Sequence, residues 1–170
     1  MQSKDLYIKE LNKFDNLDNY LEMVNDFENV KSIQGLSSEI LSKEDLINTI
    51  TNYNGYLFGL FNKNDEHVGN IGLTSINKIL RSCSLGILMS RKFQRKGYAY
   101  MGMKLVLKFA FENIKLNRVF LGVVEWNLAA IKLYEKIGFK YEGLQREAFH
   151  NDGKFYGLKM YSILKNEFES

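Results

Sequence analysis

Residues 83–124, CSLGILMSRKFQRKGYAYMGMKLVLKFAFENIKLNRVFLGVV, hold three readable pieces in series. CSLGILM (83–89) is a short apolar strand with glycine inside it. Met101, Leu105, Val106, Phe109 and Ala110 then fall at helical spacing, which predicts a helix from about Tyr98 to Ile114 with these residues as its buried stripe. RVFLGVV (118–124) follows, a near-continuous apolar run of the kind buried on both faces. Strand, helix and strand in this order imply a parallel pair, because parallel neighbours need a crossover between them.

Upstream, DLYIKEL (5–11) alternates as a strand, and Leu17, Leu21 and Val24 suit an amphipathic helix from Asn16. Ser42 with Asp45 three residues on reads as a capping box opening a second helix over Leu46, Ile47 and Ile50. GYLFGLF (55–61), the turn NKNDE and HVGNIGLTSI (67–76) form a hairpin, which with 83–89 suggests an antiparallel meander. Downstream, Asn127 reads as the N-cap of a helix LAAIKLYEKI ended by Gly138. FKYEGLQRE (139–147) and KFYGLKMYSIL (154–164) are two last strands around a turn with Asn151, Asp152 and Gly153. The sum is an α+β fold: a mixed, mostly antiparallel sheet of about seven strands with flanking helices, in a single domain over residues 1–170.

Composition agrees with one ordinary domain. The 170 residues are 45% hydrophobic, enough for a sizeable core, and show no repeat, low-complexity stretch or Gly/Ser linker. The single cysteine, Cys83, permits no intramolecular disulfide and suits a reducing compartment. On its strand it reads as a small buried hydrophobe rather than a nucleophile. The N-terminus MQSKDLYIKELNKFDN lacks a signal-type apolar block, and no window approaches the roughly 18 apolar residues of a membrane span. A cytoplasmic protein that binds no membrane is expected. His67 has no companion at metal-ligand spacing, so no metal is expected. Proline is absent, leaving the turns to 13 glycines and to Asn and Asp.

Charge is divided unevenly along the chain. Residues 1–85 hold 8 Lys and Arg against 12 Asp and Glu, whereas residues 86–170 hold 15 against 8. An anion therefore belongs with the C-terminal half, where Arg91, Lys92, Arg95 and Lys96 put four cations into six residues. The aromatic residues lack the basic interleaving of a single-strand platform, and no nucleic-acid partner is expected.

Gln94-Arg95-Lys96-Gly97-Tyr98-Ala99 lies between a strand and a helix. A helix N-terminus has unpaired N–H groups and partial positive charge, so it holds phosphate oxygens where the chain can approach closely. Gly97 supplies bare backbone, and Arg95 and Lys96 supply cations. The segment is neither a P-loop nor a G-x-G-x-x-G dinucleotide fingerprint, and an ordinary strand-to-helix turn would read the same.

The order strand, Q-x-x-G-x-A, long helix, strand, then N-x-x-A-x-x-L-Y-E-K-x-G-F resembles the GCN5-related N-acetyltransferase (GNAT) superfamily. With E-G-L-x-R-E, N-D-G-K-F-Y and an apolar final strand, it looks most like the ribosomal-protein N-terminal and spermidine acetyltransferase branch. The match spans Gly86 to about Leu164, and the earlier elements fit the family's order more loosely. The resemblance implies acetyl-CoA as co-substrate, lying between two parallel strands that splay apart, here 83–89 and 118–124. It gives the pantetheine arm to the main chain of Ile87, Leu88 and Met89. It gives the pyrophosphate to the amides of Arg95, Lys96, Gly97, Tyr98 and Ala99, with Gln94 fixing the turn. Ala99 stands where a second glycine is usual, a substitution the family admits. Asn127 is implied to reach the pantetheine or pyrophosphate region, and a plain N-cap remains the alternative.

The resemblance gives Tyr134, in L-Y-E-K, the role of general acid. A phenol of pKa near 10 within reach can protonate a departing thiolate of pKa about 8.5. From spacing alone, the same tyrosine with Ala130 and Ile137 would be core. Family members often carry a base on the strand before the phosphate loop, but this chain has Ser84, Leu85 and Gly86 there. Glu125 ranks first among the remaining candidates, ahead of Glu147 and His150. The acceptor implied is an amine: first a protein N-terminal α-amine, then spermidine or another small amine. Glu22, Asp26, Glu28 and Glu39 could line an acidic mouth, although the aromatic and acid-rich run typical of the polyamine subfamily is missing around 30–40. A non-catalytic acyl-CoA-binding module is the alternative of another class, and a homodimer would be ordinary for the family. Richness in Lys, Asn, Ile, Phe and Tyr suits AT-rich, bacterial coding.

Overall fold

A computed structural model of the chain describes residues 5–33 and 39–168. In chain order the elements are β1 (Leu6–Glu10), α1 (Asp18–Asn25), α2 (Phe27–Val30), α3 (Lys43–Thr51), β2 (Gly55–Asn62), β3 (His67–Asn77) and β4 (Ser82–Met89). There follow α4 (Tyr98–Lys108), β5 (Arg118–Val124), α5 (Leu128–Ile137), β6 (Lys140–Asn151), β7 (Lys154–Leu164) and α6 (Lys165–Phe168). The strands form one seven-stranded sheet in the order β1-β2-β3-β4-β5-β7-β6, antiparallel throughout except for the parallel pair β4–β5.

Local chemistry fixes several boundaries. At the start of α3, Ser42 Oγ accepts from Asp45 N at 3.2 Å while Ser42 N donates to Asp45 Oδ2 at 2.9 Å, the reciprocal pairing of a capping box. Asn127 Oδ1 accepts from Ala130 N at 3.2 Å to start α5, and Gly138, at φ 112°, ends it in the left-handed region. Asp152 and Gly153, with φ of 49° and 71°, form the two-residue turn that twists β6 onto β7.

The sheet separates two cores. On one face α4 and α5 cover Ile8, Leu60, Ile71, Cys83, Leu85, Val119 and Leu121. On the other, α1 and α3 enclose Leu11, Leu17, Met23, Leu46, Ile50, Leu57 and Leu88.

Four expectations need correction. The helix from Tyr98 is α-helical only to Lys108. Phe109–Asn113 widen into one turn of π-helix, where Ile114 N reaches back to Phe109 O at 3.2 Å. Its buried face is Met103, Val106, Leu107, Ala110 and Phe111, while Met101, Leu105 and Phe109 are only half-buried. The stripe is turned because Gly102 lies against the sheet: a Cβ there would come within 2.7 Å of the Leu60 side chain. The run 118–124 is not buried on both faces, since Phe120 is half-buried and Gly122 exposed. The strand after Phe139 continues past residue 147 to Asn151, carried through two register shifts at which Gly143 and Glu147 take positive φ. Helix α2 was not expected; Asp26 caps it by accepting from Asn29 N.

Among the described residues no helix is long and apolar enough to cross a membrane. Of the N-terminal stretch 1–16, the first four residues lie outside the described part of the chain.

Candidate active site

Three residue pairs join β4 to β5: Ser82 with Arg118, Cys83 with Val119 and Ser84 with Phe120. Beyond them β4 stays bonded to β3 as far as Met89, and β5 stays bonded to β7 as far as Val124. Each strand thus keeps its outer neighbour and loses its inner one. The facing edges, 85–89 and 121–124, diverge into a groove whose walls present main-chain N–H and C=O groups without ladder partners. The backbone of Ile87, Leu88 and Met89 lies on the β4 wall. Gly86 is exposed and its missing Cβ faces open space.

At the end of that wall a 3-10 turn, Arg91–Phe93, leads into the loop before α4. Gly97 caps α4 with φ 84° and no side-chain capping bond. The N–H groups of Tyr98, Ala99 and Tyr100 precede any i−4 partner within the helix, so they are available to an anion. Nothing lies within 4 Å of a Cβ built on Gly97. Glycine is needed there for its left-handed backbone rather than for space. Arg95 also has positive φ, 59°. Gln94 ties the loop to its surroundings: Nε2 donates to Asn29 Oδ1 at 2.9 Å and, more distantly, to Met89 O at 3.5 Å. Lys96 lies over the Phe93 ring, and Arg91 pairs with Asp26 at 3.3 Å. Backbone donors, a helix N-terminus and nearby cations suit a pyrophosphate, and an unpaired parallel edge suits an extended amide-bearing arm.

Tyr134 sits on α5 against Phe139, 6% exposed, and burial pushes its phenol up to about 12. Its hydroxyl makes no hydrogen bond with a described residue. Among the described residues, the sealed side-chain polar atom without a partner is His67 Nδ1. Asn127 does two things: Oδ1 caps α5, and Nδ2 donates to Ser32 Oγ at 3.0 Å. Glu125 Oε1 accepts from Gly157 N at 2.7 Å, and Glu125 N donates to Gly157 O at 3.0 Å. That carboxylate therefore lies on the β7 side of its strand, away from the groove, and pins the end of β5.

The other candidates are dispersed. Glu147 is exposed at a bulge of the edge strand, and His150 is exposed beside Phe155. Cys83 is fully buried, with its thiol pushed up to about 12. His67 is buried between Phe61 and Tyr20 and bonded to Asn70 Oδ1 at 2.8 Å. Trp126 packs edge-on to Tyr156. Of the acidic residues, Glu22 and Asp26 share a hollow with Met23, Asn29, Ser90, Arg91 and Lys92 beside the loop. Glu28 is paired with Lys31 and Glu39 is exposed. Residues 34–38, within the stretch expected to lack the acid-rich run, lie outside the described residues. Among the described residues no group of three or more His, Cys, Asp and Glu could hold a metal ion.

Sequence reasoning did not find Asn29 and Ser32. Their partners Gln94 and Asn127 lie 65 and 95 residues away, and no local pattern announces contacts of that range.

Comparison with known proteins bears on this arrangement. A family model described as the acetyltransferase (GNAT) domain matches residues 5–140. A Bacillus subtilis (strain 168) protein named putative ribosomal N-acetyltransferase YdaF is 31% identical over 101 residues, 59% of this chain and 55% of that protein. The spermidine N(1)-acetyltransferase of Vibrio cholerae is 32% identical over 101 residues, 59% of this chain and 58% of the relative. The chain thus spans somewhat more than half the length of these relatives. A crystal structure of spermidine N-acetyltransferase from Vibrio cholerae, in complex with CoA and spermine, superposes with a TM-score of 0.88 at 24% identity. That superposition covers 99% of this chain and 100% of the other, and it establishes likeness of fold.

Proposed function

The chain belongs to the acetyltransferase (GNAT) family, and from that premise we propose that it transfers acetyl from acetyl-CoA to a small cationic amine of the polyamine class. The observation that carries the reading is the parting of β4 and β5 after Ser84 and Phe120, directly beside a glycine-capped helix N-terminus. Acetyl-CoA supplies an activated acetyl group as a thioester open to attack by an unprotonated amine. The main chain of Ile87, Leu88 and Met89 would hold its extended arm. The amides of Tyr98 and Ala99, with Arg95, Lys96 and Gly97, would hold its phosphates. Tyr134, protonated at any working pH because burial raises it to about 12, would deliver the proton that the sulfur needs as the new C–N bond forms. Glu125 we assign to positioning the end of β5, and the amine's proton to solvent.

Two observations support the polyamine class over the protein N-terminal α-amine anticipated from sequence. The similarity to spermidine acetyltransferases spans both sequence and fold, and Glu22 borders a hollow next to the loop in which Asp26 is already paired with Arg91, leaving Glu22 as the carboxylate open to a cation. The similarity to the YdaF protein keeps the protein N-terminus as the second reading.

The test is acetyl-CoA-dependent thiol release with spermidine, spermine, an amino sugar and peptides bearing free N-termini. Stimulation by spermidine or spermine is expected. Stimulation by peptides alone would move the assignment to the second reading. If acetyl-CoA neither raises the thermal midpoint nor releases thiol, the proposal fails.

A further inference from the structure

The two walls of the groove are bridged by four residues. Gln94 follows β4 and Asn127 follows β5. Because these strands are parallel, both residues stand at the end where the groove opens. Asn29 Oδ1 accepts from Gln94 Nε2 at 2.9 Å, and Ser32 Oγ accepts from Asn127 Nδ2 at 3.0 Å. Three Cα steps separate Asn29 from Ser32, so their backbone spans at most about 11 Å. The bridge is itself fixed. Asn29 N donates to Asp26 Oδ1 at 3.3 Å, Asn29 Nδ2 donates to Met23 O at 3.4 Å, and Val30 is buried with α1 and α3.

On the reading that the groove holds acetyl-CoA, we propose that Asn29–Ser32 is a strap that closes the groove's mouth and sets how long the cofactor stays. Asn29 and Ser32 are positioning residues, acting through Gln94 and Asn127. A molecule lying along the parted strands, with its phosphates at the α4 N-terminus, has the strap over it. Both contacts join separate elements by side chains alone, as does the exposed Arg91–Asp26 pair beside Gln94, so loosening them slackens the mouth without unpairing any backbone. The two amides that the strap occupies stand one on each wall, so loosening either contact lets the walls part at their open end.

The test is the dissociation rate of CoA, followed by displacement with excess acetyl-CoA, with thermal midpoints measured alongside. Ser32→Ala and Asn29→Ala are each expected to release CoA about fivefold faster, the scale of one net hydrogen bond, and the double variant more than tenfold faster. Ser32→Thr keeps the hydroxyl and restores slow release. Lys31→Ala, on the strap but paired with exposed Glu28, leaves release unchanged. Asn127→Ser keeps a capping oxygen on a side chain one atom shorter that no longer reaches Ser32, so adding Ser32→Ala to it changes nothing more. Release at the wild-type rate in Ser32→Ala, or equal acceleration in Lys31→Ala, overturns the strap while leaving the cofactor reading intact. A wild-type protein that binds no CoA overturns the cofactor reading and the strap with it.

Discussion

Tyr134→Phe separates chemistry from architecture more cleanly than any other substitution in this chain. The ring is packed against Phe139 in the core, and its hydroxyl has no partner among the described residues. Phenylalanine keeps the packing and removes a polar atom that the fold does not use. Stability should therefore change by no more than about 1 kcal/mol, a midpoint shift within about 4 °C for a domain of this size. A positioned general acid contributes typically 10²- to 10⁴-fold. A phenol raised from 10.0 to about 12 is a weaker acid by two units, which removes roughly an order of magnitude on a Brønsted slope near one half. Turnover at saturating acetyl-CoA and acceptor is thus expected to fall about ten- to a thousandfold, with CoA affinity nearly unchanged. The raised pKa also fixes the form of the wild-type pH profile: the phenol keeps its proton up to about pH 11, so Tyr134 produces no alkaline loss of rate below that. Equal turnover in the variant would refute the reasoning. So would a midpoint loss of 8 °C or more, which would make the hydroxyl structural.

Gly97→Ala meets no atom but must adopt φ 84°, so it is expected to cost about 1–2 kcal/mol in thermal stability and to weaken CoA binding as the loop amides turn. Titration calorimetry and thermal unfolding check it, and unchanged CoA affinity would dissociate the loop from the phosphates. Buried Cys83 should be silent to a thiol reagent in the native protein and give one equivalent after denaturation, read from reaction kinetics. His67 is held below its ordinary value of 6.5 by burial, opposed by Asn70 and Asp15. The folded state then binds its proton later than the unfolded one, so stability present above about pH 6.5 is lost as pH falls below it. Urea midpoints at pH 8 and 5.5 should show this loss, and His67→Gln should flatten it. Asn127→Ala removes the cap of α5 and should lower stability by about 1 kcal/mol, with Asn127→Ser largely restoring it.

What the sequence disclosed and what it withheld divide by range. Ser42 with Asp45, Asn127 before its helix and Gly138 after it are signals written within one turn, and all three stand at the boundaries they mark. The parallel pair was legible because a helix must cross over between such strands. The point where that pair parts is set by how β3 and β7 hold the outer edges, which no local pattern encodes. The face of α4 turned because Gly102 approaches Leu60, a residue of another strand. The end of β6 was misplaced because Gly143 and Glu147 break the alternation at bulges. In the site, the loop around Gly97 stood out by composition. Glu125 looked free beside its helix because its partner, Gly157, lies 32 residues on.

The three-pair junction between β4 and β5 has a mechanical meaning for the whole molecule. Every other neighbouring pair in the sheet is held by at least five residue pairs, so β1–β4 form one stiff plate and β5–β7 another. Parallel pairing is also slightly weaker per residue. The sheet is two ladders joined along one short edge, beneath a core that runs unbroken across both. Helix α4 runs from the end of one plate toward the start of the other, like the leaf of a spring. An edge tied to its opposite at the mouth by side chains rather than by a ladder can adjust its gap to what lies in it while both cores stay packed.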